Sequence, residues 1–230
     1  MEFCGIEKMS LVDYNNKISC ILFTEGCNFR CPWCHNSFLV TDLSKNKPIP
    51  FNEILSYLEK RKNLLDAVVI SGGEPTLMED LKSKIISIRK LGFLIKLDTN
   101  GSNPEILKDL VESKLIDYVA MDIKNSFLMY ALTVGLKKAP LDKIKESIKF
   151  LISNKVDYEF RTTLIDEYFS NDSINEMGSC IKGAKRIFLQ KFIDNDHCIS
   201  HGLHEVNEKK ALDYLKLLEK YVDKVELRGY

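Results

Sequence analysis

The sequence predicts an α/β protein built on parallel strands. Short apolar runs rich in β-branched residues alternate with amphipathic helical patterns along nearly the whole chain. Each run is followed by a polar or glycine-rich cluster. Parallel neighbours need a crossover, and a helix between successive strands supplies it. Spacing this short leaves a doubly wound sheet or a β/α barrel. No Pro/Gly/Ser-rich linker and no low-complexity tract divides the sequence, so residues 1–230 are expected to form one domain.

The first run is ISCILF at 18–23, which leads into a cysteine-rich loop. A helix is expected at about 52–62, because Phe51, Ile54, Leu55 and Leu58 recur at helical spacing. AVVI at 67–70 is the second strand, followed by a helix from about Asp80 with Leu81, Ile85 and Ile88 inward. FLIKL at 93–97 precedes NPEILKDLVES, where Pro104 sits at a helix N-terminus. DYVAM at 117–121 is followed by a helix carrying Leu141, Ile144, Ile148, Leu151 and Ile152. A strand at 158–163, a weaker helix at about 174–181 and RIFLQ at 186–190 continue the rhythm. The last helix, about 208–222, turns Ala211, Leu215, Leu218 and Val222 inward, and KVEL closes the series as a short strand. The stretches 41–50, 124–140 and 191–207 are the least regular and read as surface loops.

Composition removes several function classes. The chain has 230 residues, 45% of them hydrophobic, with 33 Lys and Arg balancing 33 Asp and Glu. A zero balance argues against a broad nucleic-acid footprint, which needs a basic face. No stretch approaches the roughly 18 apolar residues of a membrane span. Acidic and polar residues fall where a secretory leader would be apolar, so a cytoplasmic protein with reduced cysteines is expected.

Six runs deliver their polar clusters at the C-terminal end: TEGCNFRCPWC, SGGEP, DTNG, DIK, RTT and Gln190. In parallel α/β folds those ends share one face, where ligands bind. Any one cluster reads as an ordinary polar loop. Six in register, with carboxylates, an arginine, paired glycines and three cysteines, read as one composite site.

Cys27, Cys31 and Cys34 are spaced C-x3-C-x2-C, followed by His35. Four chemistries compete: a CxxC dithiol, a c-type haem attachment, a structural zinc and an iron–sulfur cluster. The dithiol leaves Cys27 without a role. Zinc wants a fourth ligand, and no second CxxC exists. Haem attachment fits neither the reducing compartment nor the β/α pattern. A four-iron cluster on three cysteines keeps one iron open, the logic by which a catalytic zinc keeps an open position. The spacing is the signature of a cluster that does chemistry.

CNFRCPWC resembles the cluster motif of the radical S-adenosylmethionine (SAM) enzymes, and SGGEP resembles that superfamily's second motif. GCNFRCPWCHN, VVISGGEPTL, KLDTNGSNPEIL, DYVAMDIK, YEFRTT and KVELRGY together resemble the glycyl-radical-enzyme activases. Among these, the long form of the activating protein of anaerobic ribonucleoside-triphosphate reductase is most similar. Pyruvate formate-lyase activating enzyme shares the cluster, DTNG and Asp-x-Lys features. It carries a histidine after Asp-x-Lys that NSFLMYALTVG lacks, which favours the reductase activators.

The resemblance implies an incomplete parallel β/α barrel of about six βα units, with the site at the strand C-termini. It implies that Cys27, Cys31 and Cys34 hold a 4Fe-4S cluster whose open iron chelates SAM. The backbone of Trp33, Cys34 and His35 would lie near the adenine, although Trp33 also reads as a core anchor. Gly72, Gly73 and Glu74 would hold the methionine amino end, the glycines by close backbone approach and Glu74 by accepting from an ammonium. Asn100, Asp122, Lys124 and Arg161 would complete the SAM site, Arg161 as a bidentate carboxylate partner or else as a solvated strand-end arginine. Asp98, Thr99 and Asp122 match side chains that bind a monovalent cation in related activases. The implied reaction cleaves SAM to methionine and a 5′-deoxyadenosyl radical, which takes hydrogen from a glycine of the reductase. Flavodoxin or ferredoxin would supply the electron.

Two other readings stand beside this one: a radical SAM enzyme acting on a small molecule, and a non-catalytic iron–sulfur or thiol redox module. The glycine-and-acid cluster at 71–75 speaks against the module, since an electron carrier needs no ligand site. An activase must admit a protein loop, so thin loops at 124–140 and 191–207 predict an open face. Of the remaining cysteines, Cys20 and Cys180 read as buried apolar residues. Cys198 with His197, His201 and His204 reads as a solvated loop or as a metal site.

Overall fold

The computed structural model describes residues 2–230. Eight strands form one sheet in sequential order: β1 (Phe3–Ser10), β2 (Ser19–Thr24), β3 (Ala67–Gly72), β4 (Leu94–Thr99), β5 (Tyr118–Asp122), β6 (Asp157–Leu164), β7 (Arg186–Lys191) and β8 (Lys224–Arg228). β1 pairs antiparallel with β2, and every later pair is parallel. β1 and β8 stay unjoined, which leaves an incomplete barrel with six βα units and a closing strand.

Helices α1 (Phe38–Thr41), α2 (Phe51–Glu59), α3 (Leu81–Arg89), α4 (Pro104–Glu112), α5 (Tyr130–Thr133), α6 (Leu141–Ile152), α7 (Asn171–Cys180) and α8 (Glu208–Leu218) fill the crossovers. Of the expected stripes, Ile54 and Leu58, Leu81, Ile85 and Ile88, Ile144, Ile148 and Leu151 are buried, while Phe51, Leu55, Leu141, Ile152 and Leu215 are half-buried; Leu107 and Leu110 bury the face of α4. Pro104 opens α4 where its missing N–H costs nothing. A reciprocal Ser170–Ser173 capping box starts α7, and the Asn207 side chain caps α8 by accepting from Lys210 N–H. Among the described residues no helix is long and apolar enough to cross a membrane.

Strand alternation splits the sheet into two unlike faces. Ile95, Leu97, Val119, Met121, Phe160, Ile187 and Leu189 join the helices in the main core. The inner face holds a small apolar cluster of Tyr14, Ile21, Ala67, Val69 and Tyr118. It also carries buried Lys96, Asp98 and Glu159.

Three expectations change. β1 was absent from the expected strand series: it is an edge strand with two register irregularities, and its FCGIEKMS sequence alternates poorly. The 124–140 stretch is no surface loop throughout, since it contains α5 and buries Asn125, Ser126, Tyr130, Thr133, Val134 and Ala139. The 191–207 stretch lacks a helix or strand of its own beyond the end of β7, yet it buries Phe192, Cys198 and Val206. Helix ends also shift: α2 stops at Glu59 and α8 at Leu218, although Val222 remains buried beyond it.

Candidate functional site

The cysteine loop follows β2 and is tied down from four directions. Gly26 N–H donates to the Leu39 carbonyl at 2.6 Å and Arg30 N–H to that of Val134 at 2.8 Å. Ser200 N–H donates to the Pro32 carbonyl at 2.8 Å, and His35 Nε2 donates to that of Ile193 at 2.8 Å. The segments 124–140 and 191–207 therefore brace the cysteine loop, a role beyond that of the thin surface loops expected. The fourth direction is the β3 turn. Gly73 N–H reaches the Thr24 carbonyl at 2.9 Å, and Glu74 N–H reaches that of Gly26 at 2.8 Å. A Cβ at Gly73 would collide with the Gly26 carbonyl, and Gly72 has φ +114° against the Thr24 backbone. The close approach these glycines permit is thus first of all to the cysteine loop itself.

One cavity of about 390 Å³ gathers most of the expected residues: Cys27, Cys31, Trp33, Cys34, His35, Gly72, Gly73, Asp98, Thr99, Asn100, Asp122, Lys124 and Arg161. All seven cysteines are free thiols. Phe29 N–H donates to Cys27 Sγ at 3.3 Å, and Asn100 Nδ2 lies 3.9 Å from the same sulfur. Burial pushes the Cys27 thiol up to about 11 and the Cys31 thiol up to about 12, and it raises Cys34. A metal centre bound by all three would favour the thiolate form against that burial. Three such sulfurs on one cavity fit an iron–sulfur cluster with one iron left without a protein ligand. The Trp33 ring is buried and lies 5.2 Å from the Tyr168 ring, so the side chain is an anchor.

Glu74 stands apart and corrects an expectation. It is fully buried and absent from the cavity wall. Its carboxylate accepts from Thr76 N–H (3.1 Å), Thr76 Oγ1 (2.5 Å), Thr99 Oγ1 (2.7 Å) and Asn100 N–H (2.6 Å). Burial raises its pKa against these donors. Glu74 thus holds the DTNG turn in place from behind the cavity wall. Asn100 in turn donates to Asn28 Oδ1 at 2.9 Å, linking the turn to the cysteine loop.

Arg161 is neither solvated nor a free fork. Its Nε donates to Asp122 Oδ1 at 2.9 Å and its Nη1 to Asp98 Oδ2 at 3.1 Å. Ser71 Oγ adds a bond to Asp98 Oδ2, and Lys124 Nζ donates to Asp122 Oδ2 at 3.0 Å. Burial alone would raise Asp122, but Arg161 and Lys124 overcome it and hold the carboxyl at about 2. The same competition, dominated by Arg161 and Lys96, lowers Asp98.

Sequence reasoning missed Ser71, Asn36 and Lys96. Asn36 Nδ2 donates to the Gly72 carbonyl at 3.3 Å. Lys96 carried a readable signal: it is a lysine inside an apolar strand, two residues from Asp98 and so on the same face. The four residues of the HCISHGLH tract are spent elsewhere. His204 pairs with Glu167 at 2.6 Å, His201 lies 3.8 Å from Asp194, His197 meets the Phe38 ring and Cys198 faces Asn195. Among the described residues no three His, Cys, Asp or Glu side chains converge on a single-ion site.

Residues 21–177 match the family described as the Radical SAM superfamily. A Methanocaldococcus jannaschii protein provisionally named a glycyl-radical enzyme activating enzyme is 34% identical over 97% of this chain and 94% of its own. The pyruvate formate-lyase-activating enzyme of Clostridium pasteurianum is 26% identical over 80% of this chain and 77% of its own. Among solved structures, Streptococcus suis SuiB bound to S-adenosylmethionine superposes with a TM-score of 0.67 at 16% identity, over 91% of this chain and 52% of SuiB. A domain of the pyruvate-formate lyase-activating enzyme from Bacteroides vulgatus gives 0.58 at 17% identity, over 71% of this chain and 99% of the domain. At those identities the structural likeness speaks for the fold.

Proposed function

The chain belongs to the radical SAM superfamily, and from that premise we propose that it activates a glycyl-radical enzyme, specifically anaerobic ribonucleoside-triphosphate reductase. The observation that carries the proposal is the single cavity in which three cysteines of one loop meet the Asp122–Lys124–Arg161 charge network at the strand C-termini. Whole-chain similarity to a relative named for glycyl-radical activation supports the activase class. The reductase is favoured over the formate-lyase enzyme by the missing histidine after Lys124.

Cys27, Cys31 and Cys34 would hold a 4Fe-4S cluster. With SAM bound, that centre supplies one-electron cleavage of the sulfonium to methionine and a 5′-deoxyadenosyl radical able to take hydrogen from a glycine. The protein positions, neutralises and excludes water. The backbone of Gly72 and Gly73 borders the cavity for the amino end of the methionine moiety, and the Lys124 ammonium faces its carboxylate. The backbone from Trp33 to His35 takes the adenine. Phe29, Val40 and the buried Trp33 make the apolar part of the wall. Glu74 supports the site by fixing Thr99 and Asn100 and by its N–H bond to the cysteine loop at Gly26. A flavodoxin or ferredoxin serves as electron donor in this reading.

Anaerobic reconstitution with iron and sulfide, reduction and addition of SAM should yield 5′-deoxyadenosine. Cys27→Ala should yield none above background. Adding the reductase should then produce a glycyl-radical EPR signal. Equal 5′-deoxyadenosine from wild type and Cys27→Ala would sink the radical reading. 5′-Deoxyadenosine without a glycyl radical would sink the assigned target.

A further inference from the structure

Two buried carboxylates on neighbouring strands repel each other unless positive charge lies on them. In related activases a monovalent cation supplies that charge, and the resemblance assigns its ligands to Asp98, Thr99 and Asp122. The donor set here does not fit such an ion. Arg161 already bridges Asp98 Oδ2 and Asp122 Oδ1, and Lys124 Nζ covers Asp122 Oδ2. Thr99 Oγ1 donates to Glu74 and accepts from Gly101 N–H at 3.1 Å. The one oxygen left is Asp98 Oδ1, which is buried and makes no hydrogen bond. The Lys96 ammonium sits on it as an ion pair at 3.2 Å.

Lys96 is not a wandering surface lysine. It is 3% exposed, rises from β4 on the same face as Asp98, and donates its Nζ to the Asp13 carbonyl of the β1–β2 hairpin. A lysine ammonium is a compact point charge. Three fixed cations (Lys96, Lys124, Arg161) already lie on the two carboxylates, and with the buried Glu159 also acting on Arg161 the charges balance without an added ion.

We propose that Lys96 is a built-in replacement for the monovalent cation, a positioning residue that holds Asp98 and through it Arg161. SAM binding by this chain is therefore independent of sodium and potassium. The inference rests on the proposed SAM site for its functional meaning, but its structural half can be tested without SAM.

The test has two arms in potassium, sodium and choline chloride at equal ionic strength. In equilibrium dialysis on anaerobically reconstituted protein, wild type should bind SAM equally in all three salts. Lys96→Met should bind about tenfold or more weakly in choline, because a buried carboxylate has lost its partner, and should recover in potassium. Lys96→Arg, which keeps the charge, should need no added cation. In thermal melts of the cluster-free chain, wild type should be indifferent to the salt, while Lys96→Met should melt lower in choline and regain the loss in potassium. Potassium that tightens wild-type SAM binding or raises its melting temperature overturns the proposal. So does a Lys96→Met defect that no salt relieves, or no defect at all. If SAM fails to bind in every salt, the SAM-site assignment falls, and the melts alone decide the role of Lys96.

Discussion

On the outer face of β4, Ile95 and Leu97 are completely buried in the helix-covered core, while on its inner face Lys96 and Asp98 are buried among charges. The same six residues thus serve two unlike environments, one dry and held by packing, the other polar and held by ion pairs and hydrogen bonds. The outer face is tolerant in detail, because apolar volume can be rearranged. The inner face is not, because each buried charge needs its own partner. Stability therefore resides mainly outside the barrel and chemistry inside it.

The largest separation of the two should come from Cys31→Ala. It should lower 5′-deoxyadenosine formation by about 100-fold or more, since even indirect partners of a metal site are worth about 10–100-fold. Urea unfolding of the cluster-free variant should show a far smaller loss. An equally large loss of stability would erase the contrast.

Leu97→Ala should do the reverse. Removing a fully buried side chain costs about 2–5 kcal/mol. Under conditions where the variant remains folded, its SAM affinity should match wild type. A strong loss of SAM binding without loss of stability would show that the faces are coupled through the strand.

The smallest effect concerns acid. Asp122 is held at about 2 against its usual 3.8, so the charged form is favoured by folding. Its contribution is fully present above pH 4 and is lost as the pH falls from 4 towards 2. Urea midpoints between pH 2 and 6 should show that decline, and Asp122→Asn should flatten it. A variant with an unchanged acid limb would place the charge compensation elsewhere.

Much of this division is legible in the sequence, for a physical reason. Helical stripes such as Ile144, Ile148 and Leu151 repeat with a period that only one burial pattern satisfies, and three cysteines within eight residues announce themselves locally. β1 was hidden because an edge strand has one free side and no need to alternate strictly. The place of Glu74 is not legible, because GGE fixes a turn but not the direction of its last side chain. Four donors from residues 76, 99 and 100 decide that direction. Lys96 and Asp98 are neighbours on any strand reading, but the Asp13 carbonyl that fixes the lysine lies 83 residues away and only folding brings it there.

The bracing of the cysteine loop also sets an order of events during synthesis. Residues 27–34 leave the ribosome early, yet two groups that fix their backbone, the Val134 carbonyl and the Ser200 N–H, lie more than 100 residues later in the chain. Until the last of these has emerged, three soft thiols hang on a loop without its final form. A cluster held by these thiols is therefore expected to load late, onto a nearly finished barrel rather than a nascent peptide.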